Sequence, residues 1–165
     1  MKQKIAKETA LWRNRPLQVR PGFLIRRLHQ IHLALFTEEC TEIGITTVQY
    51  SVLTALDQLG AVEQIVLARA IGLDRTNTAD VVARLERRGY CSREVSATDK
   101  RMKIVAITAA GQALLEQAEQ GAARAHSRTL EALSAREQEQ FLAMMLRLVE
   151  ANNVSSRAPV SLSGE

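Results

Sequence analysis

Apolar residues recur every three to four positions over most of this chain, and the runs are cut at glycines. Leu24, Leu28, Ile31 and Leu35 form one stripe, with Ile25, His29, His32 and Phe36 beside it. That spacing predicts a long helix from Gly22 to Ile43, ended by Gly44. Thr46 with Gln49 three residues on reads as a capping box for a second helix. Its apolar positions are Tyr50, Val52, Leu53, Leu56 and Leu59, and Gly60 closes it. A short helix from Val66 to Ile71 stops at Gly72. Asp74 or Thr76 opens the next, which runs to about Arg88 and ends at Gly89. There the period changes from helix to strand: Cys91 to Val95 and Lys103 to Ile107 are β-prone runs flanking the polar stretch Ser96 to Met102. Thr108 caps a very long helix to about Leu133, with Leu114, Leu115, Ala118, Ala122, Ala125 and Leu130 apolar. Ser134 with Glu137 is a second capping box, and the last helix carries Phe141, Met144, Met145 and Leu148.

Two helices joined by the short turn at Gly72 make a helix-turn-helix pattern. In its second helix Thr78, Val81, Val82 and Leu85 face a core, and Thr76, Asn77, Asp80, Arg84 and Arg87 lie on the other side. Those are residue types that reach base edges and phosphates. The hairpin that follows carries Asp99, Lys100 and Arg101 near its tip. A helix-turn-helix with a basic wing is a winged helix, so the chain reads as mainly α with a DNA-binding lobe. A charged surface helix with a structural hairpin is the blander alternative. It accounts less well for polar groups, arginines and a basic tip in this order.

Charge sharpens the picture. The net charge of +4 hides strong segregation. Residues 1–30 hold eight Lys/Arg against one Glu, and residues 31–68 hold five acids and no Lys/Arg. Residues 69–103, the winged helix, hold nine Lys/Arg against five acids, as a phosphate-binding surface needs. No apolar run is long enough to span a membrane, and no signal-peptide pattern follows the basic N-terminus, so a cytoplasmic protein is expected. Cys40 and Cys91 read as free thiols.

The ordered set of motifs carries a resemblance. Leu67 to Thr76 reads L-A-R-x-I-G-L-D-R-T, Arg84 to Tyr90 reads R-L-E-R-R-G-Y, the wing has Asp99 to Arg101, and I-T-A-A-G spans Ile107 to Gly111. From about Phe23 to Leu148 the chain resembles the MarR family of bacterial transcription regulators. It departs at Met102, where the family often has a second arginine. The resemblance implies that first and last helices of two protomers interlock as a symmetric homodimer. It also implies that the Thr46–Gly60 helix lines a ligand cleft between dimerisation helices and DNA-binding lobe. Residues 1–21 are then a basic arm that is partly ordered, packs on a partner or touches DNA. Residues 22–45 and 109–151 are the helical dimerisation region, 46–108 the winged helix-turn-helix lobe, and 152–165 a disordered tail. The surplus apolar surface on the first and last two helices independently asks for a partner.

Candidate chemistry narrows the function. There is no G-x-S-x-G, Walker-type loop, H-E-x-x-H or paired-cysteine motif, so an enzyme is not expected, nor a cofactor. His29 and His32 with Glu38, Glu39, Cys40 or the distant His126 are a conceivable zinc set, but Cys40 lies two to three turns from the histidines. Cys40 follows Glu38 and Glu39 at a helix C-terminus, which disfavours the thiolate a redox sensor needs. A small aromatic anion is the better ligand. Arg20, Arg26 or Arg27 with His29, His32, Phe23 and Tyr50 supply charge and an apolar wall.

The expectation is therefore a homodimeric repressor of aromatic-compound catabolic genes on a pseudo-palindromic operator. A small aromatic carboxylate, hydroxybenzoate- or hydroxynicotinate-like, or its CoA thioester would release it. Arg75, Thr76, Asn77, Asp80 and Arg84 enter the major groove, and Lys100, Arg101 and Lys103 hold the flanking backbone or minor groove. Arg20, Phe23, Arg27, His29, His32 and Tyr50 hold the ligand. The alternatives are a redox- or zinc-sensing regulator on the same fold, or a ligand-independent architectural DNA-binding protein.

Overall fold

The computed structural model describes residues 13–96, 99–100 and 102–160. Six helices and a three-stranded antiparallel sheet follow one another among these residues, apart from single 3-10 turns before the first helix and after the last. Helix α1 (Pro21–Glu39) begins with a proline in its first turn, where the missing N–H costs nothing. It ends at Cys40, earlier than the apolar pattern predicts. Thr41 and Glu42 are exposed, and the N–H groups of Ile43 and Gly44 both turn back to the Cys40 carbonyl, at 3.2 and 3.0 Å. That turn delivers Ile45 into the core.

Helix α2 (Thr47–Leu59) has both halves of its capping box: Gln49 N–H to Thr46 Oγ1 at 3.2 Å, and Thr46 N–H to Gln49 Oε1 at 3.1 Å. Strand β1 (Val62–Glu63) follows, then α3 (Gln64–Ala70), α4 (Arg75–Arg87), β2 (Cys91–Val95) and β3 (Lys103–Ile107). The sheet order is β1-β3-β2, with Val62 and Arg93 both opposite Val105. β1 escapes the sequence reading because two residues cannot show a period.

Thr108 caps α5 (Ala109–Leu130) by accepting the Gly111 N–H at 3.1 Å, and gives its own proton to the Gly89 carbonyl at 2.6 Å. One hydroxyl thus starts α5 and fixes it to the end of α4. In α6 (Ala135–Asn152), Glu137 accepts from both the N–H and the hydroxyl of Ser134, at 2.8 and 2.7 Å.

The core lies inside the winged-helix lobe, where Leu53, Leu56, Leu67, Val82, Leu85 and Val105 are fully buried. The C-terminal half of α1 joins it through Phe36 and Cys40, packed on α5. Gly121 permits that crossing: a Cβ there would lie 2.8 Å from the Glu39 carbonyl oxygen and 2.9 Å from Cys40 Sγ. The N-terminal half of α1 and all of α6 are different. Leu24, Ile25 and Ile31 are exposed, and no residue of α6 is buried, with Leu148 60% exposed.

Of the stretch expected to be a disordered tail, residues 152–160 are described. Asn152 still belongs to α6, a 3-10 turn spans Asn153–Ser155, and the Asn153 side chain bonds both backbone groups of Val160. Most of the basic arm, residues 1–12, and Arg101 at the wing tip lie outside the described residues. Among the described residues no helix is long and apolar enough to cross a membrane.

Candidate DNA interface and effector cleft

The helix-turn-helix comes from α3 and α4, joined through Gly72 in left-handed backbone at φ 62°. Asp74 is the N-cap of α4: it accepts the Asn77 N–H at 3.0 Å on one oxygen and the Asn77 side-chain amide on the other. These bonds, the backbone one foremost, hold the Asp74 carboxyl below its usual range. Asn77 keeps one amide hydrogen and its carbonyl oxygen free, the pair that reads adenine. Thr78, Val82 and Leu85 are buried, as predicted, and anchor the helix; Arg75, Thr76, Asn77, Asp80 and Arg84 are exposed together on the other face. Among the described residues, neither Arg75 nor Arg84 has a side-chain hydrogen bond or ion pair, so neither charge is already neutralised.

The wing is braced against this helix by Arg93 of β2, 2.6 Å from Glu86 of α4. At its tip Ser96 N–H bonds the Met102 carbonyl and Met102 N–H the Asp99 carbonyl, each at 2.9 Å. Lys100 and Lys103 stand exposed on either side of that turn.

The residues expected to hold a ligand are divided. His32 of α1 meets α5: its Nδ1 is 2.9 Å from Thr129 Oγ1, and its ring meets that of His126 edge-on at 5.3 Å between centroids. Thr129 spends its only proton on the Ala125 carbonyl at 2.7 Å, so His32 Nδ1 must be the donor. Neutral His32 therefore leaves Nε2 bare as an acceptor. Burial, and after it the neighbouring His126 and His29, lower the His32 pKa below 6.5, so the ring is neutral at pH 7. Phe36 bridges from His32, at 6.4 Å, to Tyr50, at 5.6 Å. The Tyr50 hydroxyl donates to Glu119 Oε1 at 3.0 Å. Glu119 and His126, seven residues apart on α5, share a face. His32, His126, Thr129, Phe36, Tyr50 and Glu119 thus form one polar and aromatic lane, with exposed His29 one turn along α1.

The remaining candidates stand apart. Arg20 donates to the carbonyls of Arg15 and Arg13, at 3.1 and 3.2 Å, and is occupied. Phe23 carries the guanidinium of Arg26 over its ring at 5.3 Å. Arg27 precedes His32 by five residues, which on a helix is about 140° round the axis. One protomer therefore does not unite Arg27 with His32. Glu119 and Thr129 escaped the sequence reading, since nothing local says which face of α5 meets α1.

A cavity of about 610 Å³ opens elsewhere, beside Glu38, Glu39, Thr41, Glu42, Gln120 and Arg124. Arg124 and Arg128 are already paired with Glu39, at 2.5 and 2.7 Å. What remains is acidic and unsuited to an anion.

Both cysteines are buried. Desolvation raises the Cys40 thiol and pushes Cys91 up to about 11, so neither supplies the thiolate that the redox-sensing alternative needs. Among the described residues no group of three His, Cys, Asp or Glu is placed to hold a metal ion.

With this geometry established, likenesses to known proteins bear directly on it. The MarR family profile matches residues 45–103. The transcriptional regulator HosA of Escherichia coli is 33% identical over 125 residues, covering 76% of this chain and 91% of HosA. Among solved structures, Bordetella bronchiseptica BpsR, whose DNA binding is regulated by 6-hydroxynicotinic acid, superposes with a TM-score of 0.77 at 25% identity, covering 81% of this chain and 96% of that one. The transcriptional repressor CouR bound to a 23-mer DNA duplex superposes with a TM-score of 0.76 at 28% identity, covering 81% and 94%.

Proposed function

This chain belongs to the MarR family of winged helix-turn-helix transcription regulators, and from that premise we propose that it is a homodimeric repressor of aromatic-compound catabolic genes. A small aromatic carboxylate, hydroxybenzoate- or hydroxynicotinate-like, or its CoA thioester releases it. DNA binding and a non-enzymatic role come with the family. The repressor role, the effector and a cytoplasmic location are our reading.

The lobe of residues 46–108 binds a pseudo-palindromic operator. Arg75, Thr76, Asn77, Asp80 and Arg84 face the major groove, and Lys100, Arg101 and Lys103 hold the flanking backbone or minor groove. Residues 22–45 and 109–151 form the dimerisation region, where the uncovered apolar faces of α1 and α6 meet those of a second copy. Twofold symmetry then sets two recognition helices about one DNA turn apart.

The observation that carries the effector reading is the lane from His32 to Glu119, between the dimerisation helices and α2 of the DNA-binding lobe. Half-buried Tyr50 supplies the aromatic wall, with Phe36 packed behind it in the core. A carboxylate beside His32 raises the ring's proton affinity, and the protonated Nε2 then donates to it, so binding takes up a proton. Glu119 accepts from a ring hydroxyl or ring N–H at the other end. A hydroxylated aromatic acid satisfies both ends at once, and BpsR, a structural relative, responds to such an acid. An effector that prefers the protomer spacing unfit for DNA lowers operator affinity by that preference.

The test is fluorescence anisotropy of the operator complex, titrated with 6-hydroxynicotinic acid, hydroxybenzoate and their CoA thioesters, alongside thermal shift of the free protein. Release accompanied by a higher melting temperature is expected. An operator complex indifferent to every aromatic acid would leave an architectural role instead.

A further inference from the structure

The turn that leads into the recognition helix has a neighbour built from residues 153–160. Ala158 and Val160 lie against the turn between α3 and α4: a Cβ placed on Gly72 would be 3.7 Å from Val160 Cβ and 3.8 Å from the Ala158 carbonyl oxygen. One side chain shapes this strap. Asn153 donates from Nδ2 to the Val160 carbonyl at 2.7 Å and accepts the Val160 N–H on Oδ1 at 2.8 Å, so residues 153–160 close into a loop. Ser156 Oγ accepts the Ala158 N–H at 3.1 Å inside it.

Arg157 rides on that loop, immediately before Ala158. It is exposed, and among the described residues it has no hydrogen bond or ion pair. Gly72, which the strap touches, lies two residues before the N-cap Asp74 and three before Arg75. Arg157 is therefore brought to the end of α4 that carries Arg75, Thr76 and Asn77. Both oxygens of Asp74, the acid nearest in sequence to Gly72, are taken up by Asn77. Packing on Gly72 needs only Ala158 and Val160; the charge adds nothing to it.

We propose that this strap is a DNA-backbone arm, in which Arg157 contacts phosphates flanking the bases faced by α4. It rests on the reading of α4 as the recognition helix. A phosphate contact fixes position without reading sequence, and a guanidinium suits it because its planar fork meets two phosphate oxygens.

The test measures binding of the full chain to a selected operator and to random duplex over a salt series. Arg157→Ala should weaken both alike, with an unchanged melting temperature. Each lost phosphate contact should flatten the slope of log K against log salt by about 0.9. Arg157→Lys should restore most of the slope. Unchanged or tighter binding by Arg157→Ala overturns the arm, tighter binding meaning that the strap covers DNA-facing surface. If Arg84→Ala weakens the operator complex while Arg157→Ala does not, the strap proposal alone fails. If neither weakens it, the assignment of α4 fails with it.

Discussion

The Tyr50 hydroxyl donates to Glu119 Oε1 at 3.0 Å, and so ties α2 of the winged-helix lobe to the middle of α5. Burial first, and then this carboxylate, raise the Tyr50 pKa, which keeps the phenol protonated as a donor. Under the proposed function, this bond lies between the DNA-binding lobe and the helix that the effector bridges.

Tyr50→Phe should therefore do two things. It removes one hydrogen bond, worth about 0.5–1.5 kcal/mol, and each kcal/mol lowers the melting temperature of a chain this size by about 2–4 °C. It also frees Glu119 and loosens the lobe, so effector release should change more than operator affinity does. Calorimetry and operator titration with and without the aromatic acid measure both. An unaltered effector response would remove Tyr50 from the coupling.

Folding stability should fall with acid through His32. Its folded-state pKa lies below 6.5, so the unfolded chain takes the proton first. The contribution is complete above the unfolded value and is lost as pH drops through the folded one. Urea midpoints between about pH 7.5 and about 5.5, spanning the ordinary histidine range, should decline, and His32→Gln should flatten the decline. Effector affinity should move the opposite way and rise toward acid, because the protonated ring binds the carboxylate. Equal slopes in wild type and His32→Gln would place the titration elsewhere.

Operator recognition should separate α4 from the wing. A good bidentate base contact is worth about 1–3 kcal/mol, so Arg84→Ala or Asn77→Ala should cost roughly 5- to 150-fold on operator and far less on random DNA. Lys103→Ala and Arg101→Ala should weaken both duplexes alike and reduce the salt dependence. Equal losses on the two duplexes for the α4 variants would reassign that face to phosphate contact.

The exposed face of α6 should be a dimer interface. Sedimentation should give a dimer at micromolar concentration. Met145→Asp with Leu148→Asp should give monomers that bind operator weakly, since burying an unpaired carboxylate is costly. Both residues are largely exposed in one protomer, so circular dichroism should show the helices intact. A wild-type monomer with full operator affinity would overturn this.

What the sequence determined by itself is local. The capping boxes at Thr46 and Ser134, the cap at Thr108, and the stops near Gly60, Gly72 and Gly89 involve residues within a few positions of one another, so spacing alone reveals them; for α4 it left Asp74 and Thr76 as rival caps, and the structure chose Asp74. The same holds for the split of α4 into the buried Thr78, Val82 and Leu85 and the exposed Arg75, Asn77 and Arg84. Tertiary structure decided which faces meet. His32 finds Thr129 across 97 residues where Gly121 lets α1 and α5 approach, and Tyr50 of α2 finds Glu119 across 69. Arg20 looked free for a ligand until the carbonyls of Arg13 and Arg15 took it. Period and composition record how residues repeat along one element. They carry no rotation of one helix against another, and that rotation decides which polar side chains share a cleft.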